Sequence, residues 1–348
     1  MRTSLNGISA IVRDFPLSYF SAVMATGIVA SAANAWGQTL LAHALFGIAC
    51  ALYIIFVVIS IWRLIVTPSG FFSDLQHEKT GIGSLALVAG TCVLGAGFVS
   101  LFDQLNVAYV LWAIGFILWV VLLYWFFAIA IAEEPKPGLE KGLNGAWLLV
   151  VVSTQSVSVL GMAKGGELLW HPLQMLFCLG MFLLGLFLYI PLISLIFYRW
   201  MFLPVKPEAL TPPYWINMGA LAITTLAGAN LILAAPRWEL LSHLVVFIEG
   251  ITLLAWAVAT WWLPLLLIIG VWRHIIQKYP LRYDQQYWSM VFPLGMYSFA
   301  TFHLARAMHI EMIKPISAGF AVIAVLVWLI VFIGFLRHLK KDEQVEMP

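Results

Sequence analysis

A short polar run lies in the middle of a long apolar stretch between positions 143 and 161. The run consists of Ser153, Thr154, Gln155, Ser156 and Ser158. Polar side chains inside a membrane-length apolar stretch are costly, which makes them functional candidates. Hydroxyl and amide groups can donate hydrogen bonds to a partly dehydrated anion without holding it tightly. The same hydroxyls can instead bond back to carbonyls of their own helix, and the sequence leaves both interpretations open.

Other apolar stretches carry further hydroxyl groups at Thr26, Thr91, Thr224 and Thr225. If the stretches are helices packed around a common path, these hydroxyls can face it. We therefore group them with Ser153, Thr154 and Gln155 as candidates for the lining of an anion pathway.

The segment from position 289 to 306 has the sharpest local pattern. Pro293 lacks a backbone N–H and is expected to kink or start a helix. At about 100° per residue, one stripe of that helix carries Phe292, Phe299, His303 and Arg306. A phenyl ring in such a path can act as a steric, dewetting gate, although an aromatic residue on an apolar helix can equally be packing.

Arg306 has two possible roles at the far end of this stripe. It could draw anions towards a mouth of the pathway, or it could form an ion pair with Glu249, which lies at a similar depth in its own stretch. In either case the pathway has no ring of carboxylates, which argues against a cation channel.

The composition requires a membrane setting for these residues. Hydrophobic residues make up 63% of the 348 residues and charged residues only 10%, and the mean hydropathy is +0.97. Soluble domains carry roughly 25% charged residues. A helix needs about 20 apolar residues to cross a bilayer, and the chain offers ten such runs. Because lipid cannot satisfy backbone polar groups, continuous runs of this length predict an all-α integral membrane protein.

We predict ten transmembrane helices in a single membrane domain that spans residues 1–348. The predicted ranges are 15–35, 41–66, 82–101, 107–131, 143–161, 173–199, 215–234, 242–271, 290–309 and 316–336. Fourteen of the eighteen Lys and Arg residues fall at the chain ends or in loops after even-numbered helices. The positive-inside rule therefore predicts that both termini are cytoplasmic and that the protein is a multi-pass protein of the plasma membrane.

Small residues divide the ten predicted helices into two kinds. The odd-numbered helices hold about twice as many Gly, Ala, Ser and Thr residues per position as the even-numbered ones. Small residues let helices approach closely, whereas bulky side chains suit a lipid-facing surface. The simplest architecture is five helical hairpins, with odd helices forming an inner pore and even helices an outer ring. Tight packing without a pore is the alternative.

The chain has no sequence signature of an enzyme or of a resident cofactor. There is no nucleophile–base pair or phosphate loop, and the histidines are scattered near the predicted membrane boundary. Cys50, Cys92 and Cys178 have no metal-site or disulfide spacing. The net charge of +2 gives no indication of a nucleic-acid partner. We expect no cofactor, no metal and no nucleic acid, and membrane lipid as a surrounding partner.

Four segments resemble the tellurite-resistance/dicarboxylate transporter family, and together they span the whole membrane domain. They are Phe15 to Gly27, Pro213 to Gly228, Thr260 to Pro264 and Trp288 to Pro293. The family includes plant slow anion channels, bacterial tellurite-resistance proteins, fungal sulfite pumps and malate transporters. The resemblance implies a homotrimer in which the five odd helices of each protomer form a pore. It also implies a pore-occluding phenylalanine in the ninth helix, and Phe292 matches by its place before the proline.

Two functional hypotheses follow from the residues and the resemblance. The first is a passive channel for small inorganic or organic anions, gated by Phe292. The second is a proton-coupled carrier for a dicarboxylate such as malate, or an exporter of sulfite or tellurite. A carrier of this kind needs a titratable group in its path, for which His303 and Glu249 are the candidates. A membrane enzyme or cofactor-binding protein is the third and least supported class.

Overall fold

A computed structural model of the chain is all-helical. The structure describes Arg13, residues 15–168 and residues 171–345, and within these residues no strand occurs. The two chain ends, which the sequence predicts to be cytoplasmic, lie outside the described residues. The protein is thus helical throughout its described part, as its long apolar runs predict.

Ten long helices correspond to the ten predicted ranges. They are α1 (Phe20–Ala35), α2 (Thr39–Val66), α3 (Leu85–Phe102), α4 (Leu105–Ala132), α5 (Leu149–Gly161), α6 (Pro172–Phe202), α7 (Ile216–Ala234), α8 (Glu239–Val271), α9 (Trp288–Ala307) and α10 (Lys314–Val345). The largest differences are at α5, which begins at Leu149 rather than position 143, and at α10, which continues past position 336 to Val345. Eight helices of the described chain are long and apolar enough to cross a membrane. Of the other two, α5 has only 13 residues and α9 is rich in polar residues.

Burial separates the helices into the two groups that the small residues indicate. Every residue of α5 is buried, as are 14 of the 16 residues of α1. In contrast, only 6 of the 28 residues of α2 and 7 of the 33 residues of α8 are buried. We call α1, α3, α5, α7 and α9 the buried helices and the even-numbered ones the exposed helices.

The buried helices contact one another in a closed ring. Helix α1 contacts α3, α3 contacts α5, α5 contacts α7, α7 contacts α9, and α9 returns to α1. Each exposed helix packs on the buried helix that precedes it in the chain and also touches the next buried helix, with α10 touching α1. The ring is therefore built from five copies of one helical unit.

Each buried helix also begins in the same way. A 3₁₀ turn directly precedes the α-helix in all five cases: Leu17–Tyr19, Ile82–Ser84, Gly145–Leu148, Pro212–Trp215 and Gln285–Tyr287. Short 3₁₀ turns are common at the starts of α-helices. Because the same turn is repeated, residues at equal distances from it occupy equivalent positions in the five helices.

Aromatic side chains on the exposed helices bond to the next buried helix. In one such contact, Trp119 Nε1 of α4 donates a hydrogen bond of 2.9 Å to Thr154 Oγ1 of α5. Two equivalent contacts join Tyr53 to Thr91 and Trp328 to Thr26, and contacts at other levels join Tyr189 to the Asn217 carbonyl and Trp256 to Thr301. Each bond therefore joins an exposed helix to a buried helix other than the one that precedes it in the chain.

We expect the bond between Trp119 and Thr154 to stabilise the ring measurably. Trp119→Phe and Thr154→Val should each lower stability, and the double variant should lose about 0.6 kcal/mol less than the sum of the two, the average value for interhelical hydrogen bonds in a membrane. Unfolding by SDS in bicelles measures this difference. Tyr124→Phe is the control, because Tyr124 lies on the same helix and is 65% exposed. Strict additivity would show that the two side chains are not coupled.

Candidate functional site

The five buried helices enclose a small cavity between them, which we call the axial cavity. Eleven residues line it, with at least two from each buried helix. Ten of these are the twelfth and fifteenth residues from the start of each 3₁₀ turn: Ile28, Val93, Ser156, Ile223 and Met296, then Ser31, Ala96, Val159, Leu226 and Phe299. The cavity holds about 10 Å³, which is space for no more than about one water molecule. The path is therefore closed at this level.

A larger cavity, which we call the vestibule, opens at the N-terminal ends of the same helices. Its volume is about 740 Å³. The second residue of every 3₁₀ turn lines it, namely Ser18, Gly83, Ala146, Pro213 and Gln286. Ser21, Ala86, Leu149 and Ser289 add a second layer three residues further along their helices. The same five helices thus line both cavities, the vestibule with their first turns and the axial cavity further along.

Between the two cavities lie the eighth and ninth residues from the start of each 3₁₀ turn. These pairs are Met24 and Ala25, Ala89 and Gly90, Val152 and Ser153, Gly219 and Ala220, and Phe292 and Pro293. Phe292 is the largest side chain of this layer and is fully buried. It lies about one helical turn from Ser289, which lines the vestibule, and from Met296, which lines the axial cavity. Helix α9 continues through Pro293, whose ring packs closely against Gly219 of α7.

Three of the predicted pathway hydroxyls face the exposed helices. Thr26, Thr91 and Thr154 each lie 2.7 Å from the carbonyl four residues earlier, to which their hydroxyls donate. Each hydroxyl is also bonded by an aromatic side chain of an exposed helix. None of the three lines the axial cavity or the vestibule.

The other predicted polar residues are also bonded within the helix bundle. Ser153, Thr224 and Thr225 donate to carbonyls of their own helices. Gln155 Nε2 donates to the Phe182 carbonyl of α6 at 3.0 Å. Bonding back to helix carbonyls, the alternative that the sequence left open, is what these hydroxyls do. Of the polar run in α5, only Ser156 lines the axial cavity.

The residues of the stripe predicted on α9 lie in different environments. Phe299 lines the axial cavity, and the ring of His303 lies 4.4 Å from the ring of Phe299. Arg306 is exposed, and Glu249 is partly buried on α8. Among the ion pairs of the described residues, none joins Glu249 to Arg306. The structure thus brings Phe299 and His303 together beside the axial cavity and does not form the hypothesised ion pair.

Sequence reasoning missed most of the residues that line the axial cavity. Ile28, Val93, Ile223 and Met296 are apolar residues of apolar helices, and an apolar side chain among others carries no signal of its own. Their common register is a usable signal, but it becomes visible only once the five 3₁₀ turns are aligned.

The charged side chains of the vestibule balance one another. Three cations and three carboxylates line it: Lys141, Arg199 and Lys206, and Glu140, Glu208 and Asp284. The turns that begin α1, α3 and α7 have no side-chain cap, so that the N–H groups of these turns keep their partial positive charge. The helix ends therefore supply the vestibule with a positive potential that its side chains do not cancel.

An ion-pair network lies at the opposite ends of three buried helices. Lys164 Nζ is 2.6 Å from Asp103 and 3.2 Å from Glu167, and Arg237 is 3.0 Å from Glu167. The hydrogen bond from Arg237, with a second from Lys164, lowers the pKa of Glu167. The bond to Asp103, with that to Glu167, raises the pKa of Lys164. The network connects the segments that follow α3, α5 and α7.

Cys92 lets the closure of the axial cavity be tested directly. It lines that cavity and is 1% exposed. In a variant in which Cys50 and Cys178 are replaced by Ala, we expect Cys92 to resist an anionic, membrane-impermeant thiol reagent. Ser289→Cys, placed in the vestibule, should react readily in the same background. Modification can be followed by mass spectrometry, and rapid labelling of Cys92 would contradict a closed cavity.

Comparison with known proteins connects this site to a family. A family model described as SLAC1, voltage-dependent anion channel, matches residues 14–336. A protein of Methanocaldococcus jannaschii named as an uncharacterized transporter is 24% identical over 97% of both chains. A Mycobacterium tuberculosis protein named as an uncharacterized membrane protein is 40% identical over 44% of this chain and 78% of its own.

The chain belongs to the voltage-dependent anion channel family. This confirms the family resemblance that four segments of the sequence indicate. The family and the names of the relatives indicate a membrane transporter of small anions rather than an enzyme.

Proposed function

We propose that this member of the family is a passive channel for small anions. The observation that carries the proposal is the arrangement of vestibule and axial cavity between the same five helices, with no charged side chain among the residues that line the axial cavity. Rapid passage requires binding that is weak enough for the ion to leave. A path without charged side chains meets that requirement.

The helix N-termini at the vestibule favour anions over cations electrostatically. All five buried helices begin there, and a helix N-terminus carries roughly half a positive elementary charge. An anion that enters the vestibule is therefore stabilised by several helix ends at once, whereas a cation is repelled. Anions would then pass from the vestibule to the axial cavity and leave near the network of Asp103, Lys164, Glu167 and Arg237.

Phe292 is the proposed gate of this path. It is the bulkiest side chain in the layer that separates the two cavities, and the neighbouring layer residues of α3 and α7 are Ala or Gly. A ring that fills the space left by small neighbours blocks both water and ions. The family resemblance of the sequence around Pro293 supports the same assignment.

We extend the proposal to the arrangement in the membrane. The chain would form a single domain of ten spans in five hairpins, with the buried helices around the pore and the exposed helices towards lipid. Large apolar side chains exposed on the even-numbered helices, such as Ile54, Phe187 and Leu254, support the lipid-facing role. The basic residues near the vestibule support its cytoplasmic orientation, together with both termini, in the plasma membrane. The homotrimer rests on the family resemblance alone.

One observation favours a second candidate function on the same fold. His303 packs against Phe299 at the edge of the axial cavity. A titratable ring at this point could couple proton movement to the transport of a dicarboxylate, or to the export of sulfite or tellurite. Glu249, the other titratable candidate, does not line either cavity.

Phe292→Ala tests the gate. Because the substitution removes the largest side chain between the vestibule and the axial cavity, we expect nitrate flux into proteoliposomes to rise by roughly tenfold or more, without a proton gradient. Phe187→Ala is the matched control, since Phe187 is 67% exposed on the outer surface of α6. It should leave the flux unchanged.

The same measurement separates the two candidate functions. Flux that requires a proton gradient, favours one substrate and falls in Phe292→Ala would contradict the channel and support the carrier. Thermal unfolding of each variant, measured in detergent before reconstitution, shows whether a loss of flux reflects misfolding.

The lining of the axial cavity also predicts an order of permeation. Its only hydroxyls belong to Ser31 and Ser156, and both donate to carbonyls of their own helices. An anion must therefore give up water with little replacement, which costs more for strongly hydrated or doubly charged ions. In Phe292→Ala we expect nitrate to pass faster than chloride, and chloride faster than malate. Ser156→Ala should preserve this order, and malate passing fastest would contradict it.

A further inference from the structure

Arg199 is a buried arginine in the vestibule wall that forms no ion pair within the part of the chain that the structure describes. It lies near the C-terminal end of α6, is 4% exposed and lines the vestibule. Its Nη1 donates to the hydroxyl of Tyr214, and its Nη2 donates to the main-chain carbonyl of Glu140 at 2.7 Å. No ion pair among the described residues includes Arg199, and its Nε has no acceptor.

Burying an arginine with these partners costs free energy. A guanidinium has five N–H donors, and a buried charge is costly unless it is paired and hydrogen-bonded. The two bonds that Arg199 makes go to neutral oxygens, which neutralise no charge. An anion held against this side chain from the vestibule would supply the missing negative charge.

Arg63 provides an internal comparison. It lies in the last turn of α2, as Arg199 lies in the last turn of α6, and it is also 4% exposed. Its Nη1 donates to the main-chain carbonyl of Phe15 at 2.7 Å. In both cases the carbonyl lies in the segment that connects an exposed helix, or the chain start, to the next buried helix. Arg63, however, pairs with the Asp74 carboxylate at 2.7 Å and lines a separate small cavity. Within the described residues, a carboxylate therefore pairs directly with Arg63, whereas none forms an ion pair with Arg199, which lines the vestibule.

We propose that Arg199 forms an anion-binding site in the vestibule wall that captures the anion before it enters the axial path. Its ligand is a small anion with at least two oxygen atoms, such as nitrate or a carboxylate, because the planar N–H fork of arginine matches such oxygens. The exposed carboxylate of Glu140 opposes this binding, and the exposed Lys141 and Lys206 assist it without forming the site. The inference rests on the proposed function, since an anion pathway is what brings anions into the vestibule.

Nitrate binding to the purified protein tests the site without requiring flux. Nitrate should raise the melting temperature in detergent, with fluoride replacing it at constant ionic strength. In Arg199→Gln and Arg199→Lys the half-saturating nitrate concentration should rise about tenfold, the value of one charge-assisted hydrogen bond. The Lys variant keeps the charge but lacks the Nε donor. Lys206→Gln removes an exposed vestibule charge and should change the concentration by less than about twofold.

A second pair of variants avoids any change to the buried arginine. Glu140 and Glu208 both carry exposed carboxylates in the vestibule. Of the two residues, only Glu140 contacts Arg199, through its main-chain carbonyl. Glu140→Gln should lower the half-saturating nitrate concentration about twofold, and Glu208→Gln should change it less. If the Arg199 variants do not fold, equal effects of these two substitutions would overturn the proposal.

The outcomes separate this inference from the proposed function. Unchanged nitrate binding in folded Arg199→Gln would overturn the site while leaving the channel intact. Nitrate binding that depends on Arg199, in a protein for which liposomes detect no anion flux in the wild type or in Phe292→Ala, would support the site and overturn the channel.

Discussion

The hydrocarbon core of a membrane offers no hydrogen-bond partner, so every polar group placed there must be satisfied by the protein itself. The arrangement of this chain follows from that constraint. Hydroxyls on the buried helices bond to their own helix carbonyls and to Trp or Tyr side chains of the exposed helices, as Thr154 does with Trp119. These bonds attach each exposed helix to a neighbouring hairpin. They also turn the hydroxyls away from the axis, which leaves a mainly apolar axial cavity.

An apolar path for anions needs a source of positive potential, and the backbone at the helix N-termini provides one. Each exposed helix returns the chain to the side on which the next buried helix starts, so that all five buried helices begin at the vestibule. Their partial positive charges therefore add at one end of the path. Arg199 places a buried guanidinium in the same wall, while the charged side chains of the vestibule balance one another in sum. In the proposed channel, attraction would thus be concentrated at the entrance, and the narrow part of the path would hold the ion weakly.

The candidate site was only partly predictable, and the reason is geometric. The stripe from Phe292 to Phe299 depends on spacing within one helix. The structure places Phe299 at the axial cavity, and Phe292 lies about one turn from Ser289 of the vestibule and from Met296 of the axial cavity. The hydroxyls of Thr26 and Thr91 are different, because their direction depends on which helices pack beside them. Their partners, Trp328 and Tyr53, are contributed by other helices, in the case of Trp328 from the far end of the chain. Composition identifies such hydroxyls but not the side on which they lie.

The sequence by itself determined the membrane class, the approximate positions of the helices and their division into buried and exposed groups. These properties depend on local composition and length, which neighbouring residues define. Only the tertiary structure decided which face of each helix meets the axis, because a shift of one residue turns a helical side chain by about 100°. It likewise decided that Arg63 meets Asp74 while Arg199 meets the Tyr214 hydroxyl. Such pairings depend on how separate segments pack, and no local pattern in the chain records them.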